Sequence, residues 1–298
     1  IEIGNAFHEF PEDIAEEEVE GKPMTANKTR RPAADHKAVR QAVDLIAAAK
    51  SPIILAGNGA VRKRAATQLR RLAQKTGIGV VNTFMGKGAV PRKDEHCLFT
   101  MGLQGRDYIN VAMDEADLII AVGYDLVEYA PEFFNRNADK KIIHIDFWPA
   151  EIDHFYNVEL DIVSDVADAL WQINEELNIR FEDEGKLPLF NISDRQKLRE
   201  VILDDFAMEK DDKSFPMKPQ KILWDAREVL APGDILLSDV GAHKMWISRY
   251  YQCDEANTCL ISNGFCSMGF ALPGAMGVKF AHPDRNVLAI NGDAGFLM

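Results

Sequence analysis

Asn291-Gly292-Asp293-Ala294-Gly295-Phe296 places an aspartate between glycines directly after an apolar run, Val287 to Ile290. A carboxylate at the carboxyl end of a parallel strand lies where open α/β sheets hold their ligands. The flanking glycines let the backbone turn sharply and approach an anion closely. A single aspartate in that position suits a hard cation such as Mg²⁺, which takes oxygen ligands and shares them with phosphates. The same spacing also suits an aspartate that caps the following helix. Two more segments of similar character follow apolar runs: Val240-Gly241-Ala242-His243-Lys244-Met245-Trp246, and Ser262-Asn263-Gly264-Phe265-Cys266-Ser267-Met268-Gly269-Phe270-Ala271-Leu272-Pro273-Gly274. Three strand ends rich in small and polar residues, on one edge of a sheet, predict a cofactor cleft with a phosphate end.

The elements that would carry these loops alternate in type. Asp35 is placed to cap a helix bearing Val39, Ala42, Val43, Ile46 and Ala47 at helical spacing. Pro52-Ile53-Ile54-Leu55-Ala56-Gly57 is a short apolar run ending in glycine, the pattern of a buried parallel strand. A basic amphipathic helix over 62–75, a strand at 79–83, a helix at 109–115 and strands at 117–123, 141–146 and 162–165 continue the theme. Residues 181–215 are charged and weakly periodic, and are expected to be a partly helical connection. Helix 219–230, strand 234–239, helix 245–250, strand 258–262, helix 270–280 and strand 286–291 then resume the alternation. Apolar strands alternating with helices mean an α/β fold with a doubly wound parallel sheet. The second sheet looks incomplete at Met298.

Composition narrows the partners. The 298 residues carry 34 Lys+Arg against 47 Asp+Glu, a formal charge of −13. Such a surface repels nucleic-acid backbones and anionic membranes. No apolar stretch approaches the roughly 20 residues that cross a bilayer. Cys97, Cys253, Cys259 and Cys266 are scattered without metal-binding spacing, which fits a reduced, cytoplasmic setting. Cys97 and Cys266 read as small hydrophobes, and His144 as a satisfied core imidazole. Trp246 and Tyr250 read as core or interface. The Gly57-x-Gly59 turn lacks a third glycine and is read as packing strand against helix rather than binding a dinucleotide.

Taken in order, the three glycine-rich segments resemble the diphosphate-binding domain of thiamine-diphosphate enzymes of the acetohydroxyacid synthase group. Phe10-Pro11-Glu12-Asp13-Ile14 is similar to the end of that family's pyrimidine-binding domain, and Met217-Lys218-Pro219-Gln220 to the start of its third domain. The implied organisation is a pyrimidine-domain tail (1–20), a linker (21–34), a central domain (35–180), a linker (181–215) and the first half of the diphosphate-binding domain (216–298). Gly123-Tyr124-Asp125-Leu126-Val127-Glu128-Tyr129 and Pro149-Ala150-Glu151-Ile152-Asp153-His154-Phe155-Tyr156 are similar to the FAD-independent, catabolic type. FAD-containing members carry an arginine- and aspartate-rich segment after the position of Gly123, so its absence argues against FAD.

The resemblance implies thiamine diphosphate and Mg²⁺ as cofactors, with Asp293 as a metal ligand. Gly292, Ala294 and Gly295 would lie beside the phosphates, although the family has glycine where Ala294 stands. Gly241, Ala242 and His243 would face the diphosphate, His243 as a donor. Gly264 and Phe265 would line the pyrimidine and thiazolium side, and Met268 would prop the bent cofactor, unless it merely packs a core. The implied reaction joins two pyruvates to 2-acetolactate and CO₂, the chemistry being mainly the cofactor's. A pyruvate oxidase-like enzyme or a non-catalytic nucleotide-binding scaffold are the alternatives. The family's catalytic glutamate belongs to the pyrimidine-binding domain, so no catalytic residue is expected in this chain, and the chain alone is expected to be inactive. A homodimer or homotetramer is the implied assembly, with acetoin or branched-chain amino acids as downstream products.

Overall fold

Two all-parallel sheets organise the chain. The computed structural model describes residues 17, 18, 21 and 31–298, apart from 104–106, 183–184 and the side chain of 194. The expectations for residues 1–20 and for most of 21–34 therefore lie outside the described residues. Both sheets belong to one unit, Pro32–Met298.

The first helix, α1 (His36–Ala48), starts where its cap predicts: the Asp35 carboxylate accepts from the backbone N–H of Lys37 and Ala38. Val39, Ala42, Val43 and Ile46 turn inward as the spacing requires. Ala47 does not; it lies on the solvent rim of that stripe and is exposed. Strands β1 (Pro52–Ala56), β2 (Val80–Asn82), β3 (Cys97–Thr100), β4 (Leu118–Val122), β5 (Lys141–Asp146) and β6 (Leu160–Val163) form the large sheet. Their spatial order is β3-β2-β1-β4-β5-β6, the doubly wound arrangement. Every residue of β1 and β4 is buried, which explains why they read as unbroken apolar runs. Helices α2 (Lys63–Thr76), α3 (Ile109–Glu115) and α4 (Val166–Leu177) lie between the strands in sequence, and α4 packs against both α1 and α2.

The stretch expected to be a linker, 181–215, is more than a connection. It contains α5 (Ser193–Ala207), whose Ile202 and Phe206 enter the core of the large sheet. Leu198, Ile202 and Phe206 are four residues apart and form one face. The Phe206 ring meets Phe99 edge-on at 5.0 Å.

The smaller sheet has β7 (Ile235–Ser238) in the centre, flanked by β8 (Cys259–Ile261) and β9 (Val287–Ile290). Around it run α6 (Pro219–Val229), α7 (Ala242–Tyr250), α8 (Ala271–Ala281) and the short α9 (Asp293–Leu297). Buried polar contacts join this part to the larger sheet. Lys87, only 2% exposed, donates to the Ser248 carbonyl at 2.7 Å and to Thr100 Oγ1 at 3.1 Å. Burial lowers its pKa from the ordinary lysine value. Arg92 pairs with Asp254 at 3.1 Å. No helix among the described residues is long and apolar enough to cross a membrane.

Candidate functional site

Register places the three glycine-rich loops together. Ser238 pairs with Ile261 on one side and with Ile290 on the other, so β7, β8 and β9 release their loops at one level of one edge. In the order β8-β7-β9 the chain reverses direction between β7 and β9, which is where such sheets bind ligands. His243, in the first turn of α7, spans that crevice. A Cβ on Gly241 would stand 2.9 Å from its Cε1, and a Cβ on Gly292 would stand 3.5 Å from the same atom. Gly241 has φ +149°, so both space and conformation favour glycine there. The Nε2 of His243 is buried and has no hydrogen-bond partner among the described residues.

Asp293 opens α9, with Gly292 as the residue before the helix. Its side chain is exposed, and Oδ1 accepts from the Ala294 N–H at 2.9 Å. Among the described residues, no group of three or more His, Cys, Asp or Glu side chains gathers as a metal site. Asp293 is thus a lone, accessible carboxylate, and Ala294 beside it is exposed too.

The middle loop is held by a residue that the sequence did not single out. Asp239, fully buried after β7, accepts from Val240 N at 2.7 Å, Gly269 N at 3.0 Å and Ala271 N at 3.4 Å. Gly295 lies against it, since a Cβ there would sit 3.0 Å from Oδ2. One carboxylate therefore bonds to two of the loops and lies against the third. The available signal was an aspartate ending an apolar run, the same signal that marks Asp293. Asp239→Asn would turn an amide donor toward backbone donors; we expect a loss of about 2–3 kcal/mol, read as a lowered melting temperature.

Gly264 takes φ +87° beside Val127, and Phe265 is 87% exposed. Met268 is 43% exposed, so core packing does not describe it. Cys266 is not the small hydrophobe that its sequence context suggests: Lys244 Nζ lies 3.1 Å from its Sγ. Lys244, nearly buried on α7, also donates to Asn263 Oδ1 at 2.5 Å and lies 5.5 Å from the Phe84 ring centroid. Sequence reading missed this cluster because Lys244 on α7 meets Asn263 and Cys266 of the loop after β8, about twenty residues away in the chain. His144 is the satisfied core imidazole expected, with Nδ1 2.8 Å from the Tyr156 hydroxyl. Cys97 is buried among apolar neighbours as expected.

The larger sheet has its own crevice, between β1 and β4, and it is closed. Gly57 N donates to Val122 O, Gly59 N to Gly123 O, and Asn58 N to both carboxylate oxygens of Glu128 at 3.0 and 3.1 Å. Thr83 Oγ1 donates to Glu128 Oε2 at 2.5 Å. Burial pushes the Glu128 carboxyl up to about 7, against these hydrogen bonds. A raised carboxyl pKa means that the folded state holds a proton the unfolded chain has already released. Stability from this group is therefore present below the unfolded value and lost as pH rises to about 7. Wild type should lose about 3 kcal/mol relative to Glu128→Gln between pH 4.5 and 8, a difference that paired melting curves would measure.

The family pattern "Thiamine pyrophosphate enzyme, central domain" matches residues 39–173, and "Thiamine pyrophosphate enzyme, C-terminal TPP binding domain" matches residues 239–298. The chain carries two domains of thiamine pyrophosphate enzymes, the central and the C-terminal one. All three loops of the small sheet fall inside the second match. The chain is 32% identical over 301 residues to an acetolactate synthase of Bacillus subtilis, covering 99% of this chain and 51% of that protein. It is 35% identical to a probable acetolactate synthase large subunit of Methanocaldococcus jannaschii, over 87% of this chain and 44% of that protein. Acetolactate synthase 2, chloroplastic, of Nicotiana tabacum is 35% identical over 87% of this chain and 38% of its own length. The chain thus spans about half or less of the length of these relatives.

Proposed function

We propose that the protein containing this chain is an acetolactate synthase, joining two molecules of pyruvate to 2-acetolactate with loss of CO₂. The observation that carries the reading is the convergence of Gly241, His243, Gly292 and Asp293 at the β7/β9 crevice. These residues fit thiamine diphosphate. The glycines leave the backbone open where side chains would collide, and His243 Nε2 is a buried polar atom in need of a partner. His243 would donate to the diphosphate. Asp293 would hold Mg²⁺, with phosphate and water oxygens completing its shell. Asp239 would keep the loops of Gly269 and Gly295 in place, and Gly264, Phe265 and Met268 would form the open wall toward the rings. When bound, thiamine diphosphate supplies the chemistry that decarboxylates a 2-oxo acid and transfers the remaining carbon unit.

Independence from FAD is part of the proposal. All three backbone N–H groups of the Gly57–Gly59 turn are spent within the chain, so none is left for a dinucleotide's diphosphate. A homodimer or homotetramer and a cytoplasmic setting complete it; the first rests on the family resemblance, the second on four unpaired cysteines.

The test is product analysis on the intact protein with pyruvate, thiamine diphosphate and Mg²⁺. Acetolactate and CO₂ in equal amounts are expected. Acetyl phosphate or acetate formed with consumption of an oxidant would instead indicate a pyruvate oxidase, and no turnover with any 2-oxo acid would indicate a scaffold.

A further inference from the structure

Glu128 has two ends that work in different parts of the molecule. Its carboxylate, on a side chain only 6% exposed, fills the crevice of the large sheet through Asn58 N, Thr83 Oγ1 and Asp125 N. Its main-chain carbonyl points the other way and accepts from Asn263 Nδ2 at 2.8 Å. Asn263 lies in the loop after β8, and its Oδ1 takes the ammonium of Lys244, the residue that follows His243. The neighbouring Val127 supports the same loop: its Cγ2 would stand 3.2 Å from a Cβ on Gly264. A continuous line of hydrogen bonds thus runs from β1 and β2, through Glu128 and Asn263, to the helix that bears His243.

We propose that Glu128 is a positioning residue for the cofactor: by occupying the closed crevice it fixes residues 125–129, and through Asn263 it sets the loop that carries Gly264 and Phe265. In relatives of this fold class the β1/β4 crevice is where a ligand would bind. Here the chain fills it with its own carboxylate and uses the resulting rigidity elsewhere. The inference rests on the thiamine diphosphate reading for its effect on affinity, but the link itself can be read without any cofactor.

The experiment uses the intact protein as wild type, Glu128→Ala, Glu128→Gln, Asn263→Ala and the Glu128→Ala/Asn263→Ala double variant. Hydrogen exchange without cofactor reads the link. Amides of residues 264–269 should exchange about tenfold faster in Glu128→Ala and in Asn263→Ala, and the double variant should be no faster than either. Glu128→Gln keeps an oxygen acceptor for Asn58 and should stay near wild type. Calorimetry with thiamine diphosphate and Mg²⁺ should show the same pattern, with affinity weakened about tenfold in each Ala variant and not multiplicatively in the double. Unchanged exchange in folded Glu128→Ala, or additive effects in the double variant, overturns the proposal. If Glu128→Ala does not fold, Asn263→Ala cuts the same line from the other side, and unchanged exchange there is equally contradictory. Failure of wild type to bind thiamine diphosphate would instead overturn the cofactor reading, leaving exchange to decide the link.

Discussion

Gly123→Ala is expected to lower stability by about 4 kcal/mol, or about 10 °C in melting temperature, while leaving the small sheet's loops chemically intact. Gly123 ends β4 with φ +58°, a conformation that alone costs an alanine about 1 kcal/mol. Space is the larger obstacle. A Cβ would stand 2.4 Å from the Gly59 Cα and 2.5 Å from the Ala60 nitrogen. Both are backbone atoms with no rotamer to escape into, so β1 and β4 would have to separate at their carboxyl ends. That separation breaks the Gly59 N–H to Gly123 C=O bond, 2.8 Å long, and the Gly57 N–H to Val122 C=O bond, 2.9 Å long. It also disturbs the Glu128 carboxylate, which lies 2.7 Å from where a Gly57 Cβ would be. Thermal melting of the variant beside wild type measures the effect. A shift under about 2 °C would mean that the crevice is looser than its contacts imply.

That crevice shows what a sequence can disclose. The Gly57-x-Gly59 turn, lacking its third glycine, was legible as a packing device, and its contacts with Gly123 and Tyr124 are those of packing. Glu128 is legible only as part of a family-like segment, because its partners Asn58 and Thr83 come from other strand ends. Short edge elements were the other blind spot. β3 has four residues amid Pro91, Asp94 and Gly102, too few to show an alternation. α4 has a clear stripe of Val166, Ala169, Leu170, Ile173 and Leu177 and an Asp165 cap, yet Asp165 also ends the strand expected at 162–165, and the helix beyond it goes unread. Within 181–215 only a partly helical connection is legible, because α5 turns Leu198, Ile202 and Phe206 inward from an otherwise charged surface.

In the small sheet the loop contents were legible and their wiring was not. The glycines and Asp293 mark the proposed phosphate edge through residue type alone. Asp239 and the Lys244–Asn263–Cys266 cluster act by reaching across loops, and periodicity carries no trace of such contacts. Helix and strand limits were legible to within a few residues in this half, where strong apolar runs alternate with glycine turns. His243 was legible as a candidate, but the burial of its Nε2 without a partner among the described residues arises only from the fold.

On the proposed function, the largest functional effect is expected from substitution of Asp293. Its carboxylate is exposed at the crevice and, among the described residues, bonded only to its neighbour's N–H, which leaves oxygen lone pairs for a hard cation. Removing it takes away the charged protein oxygen offered to a cation there, while α9 and its Gly292 start can persist. Little loss of stability is expected, because the side chain is exposed. The most direct test is calorimetric titration of the intact protein with thiamine diphosphate in the presence of Mg²⁺, for wild type and Asp293→Ala. Wild type should bind with micromolar affinity, and the variant at least about 100-fold more weakly, with unchanged melting temperature before cofactor is added. Equal affinity in the two proteins would contradict the placement of the cation, and with it the assignment of this edge as the cofactor site.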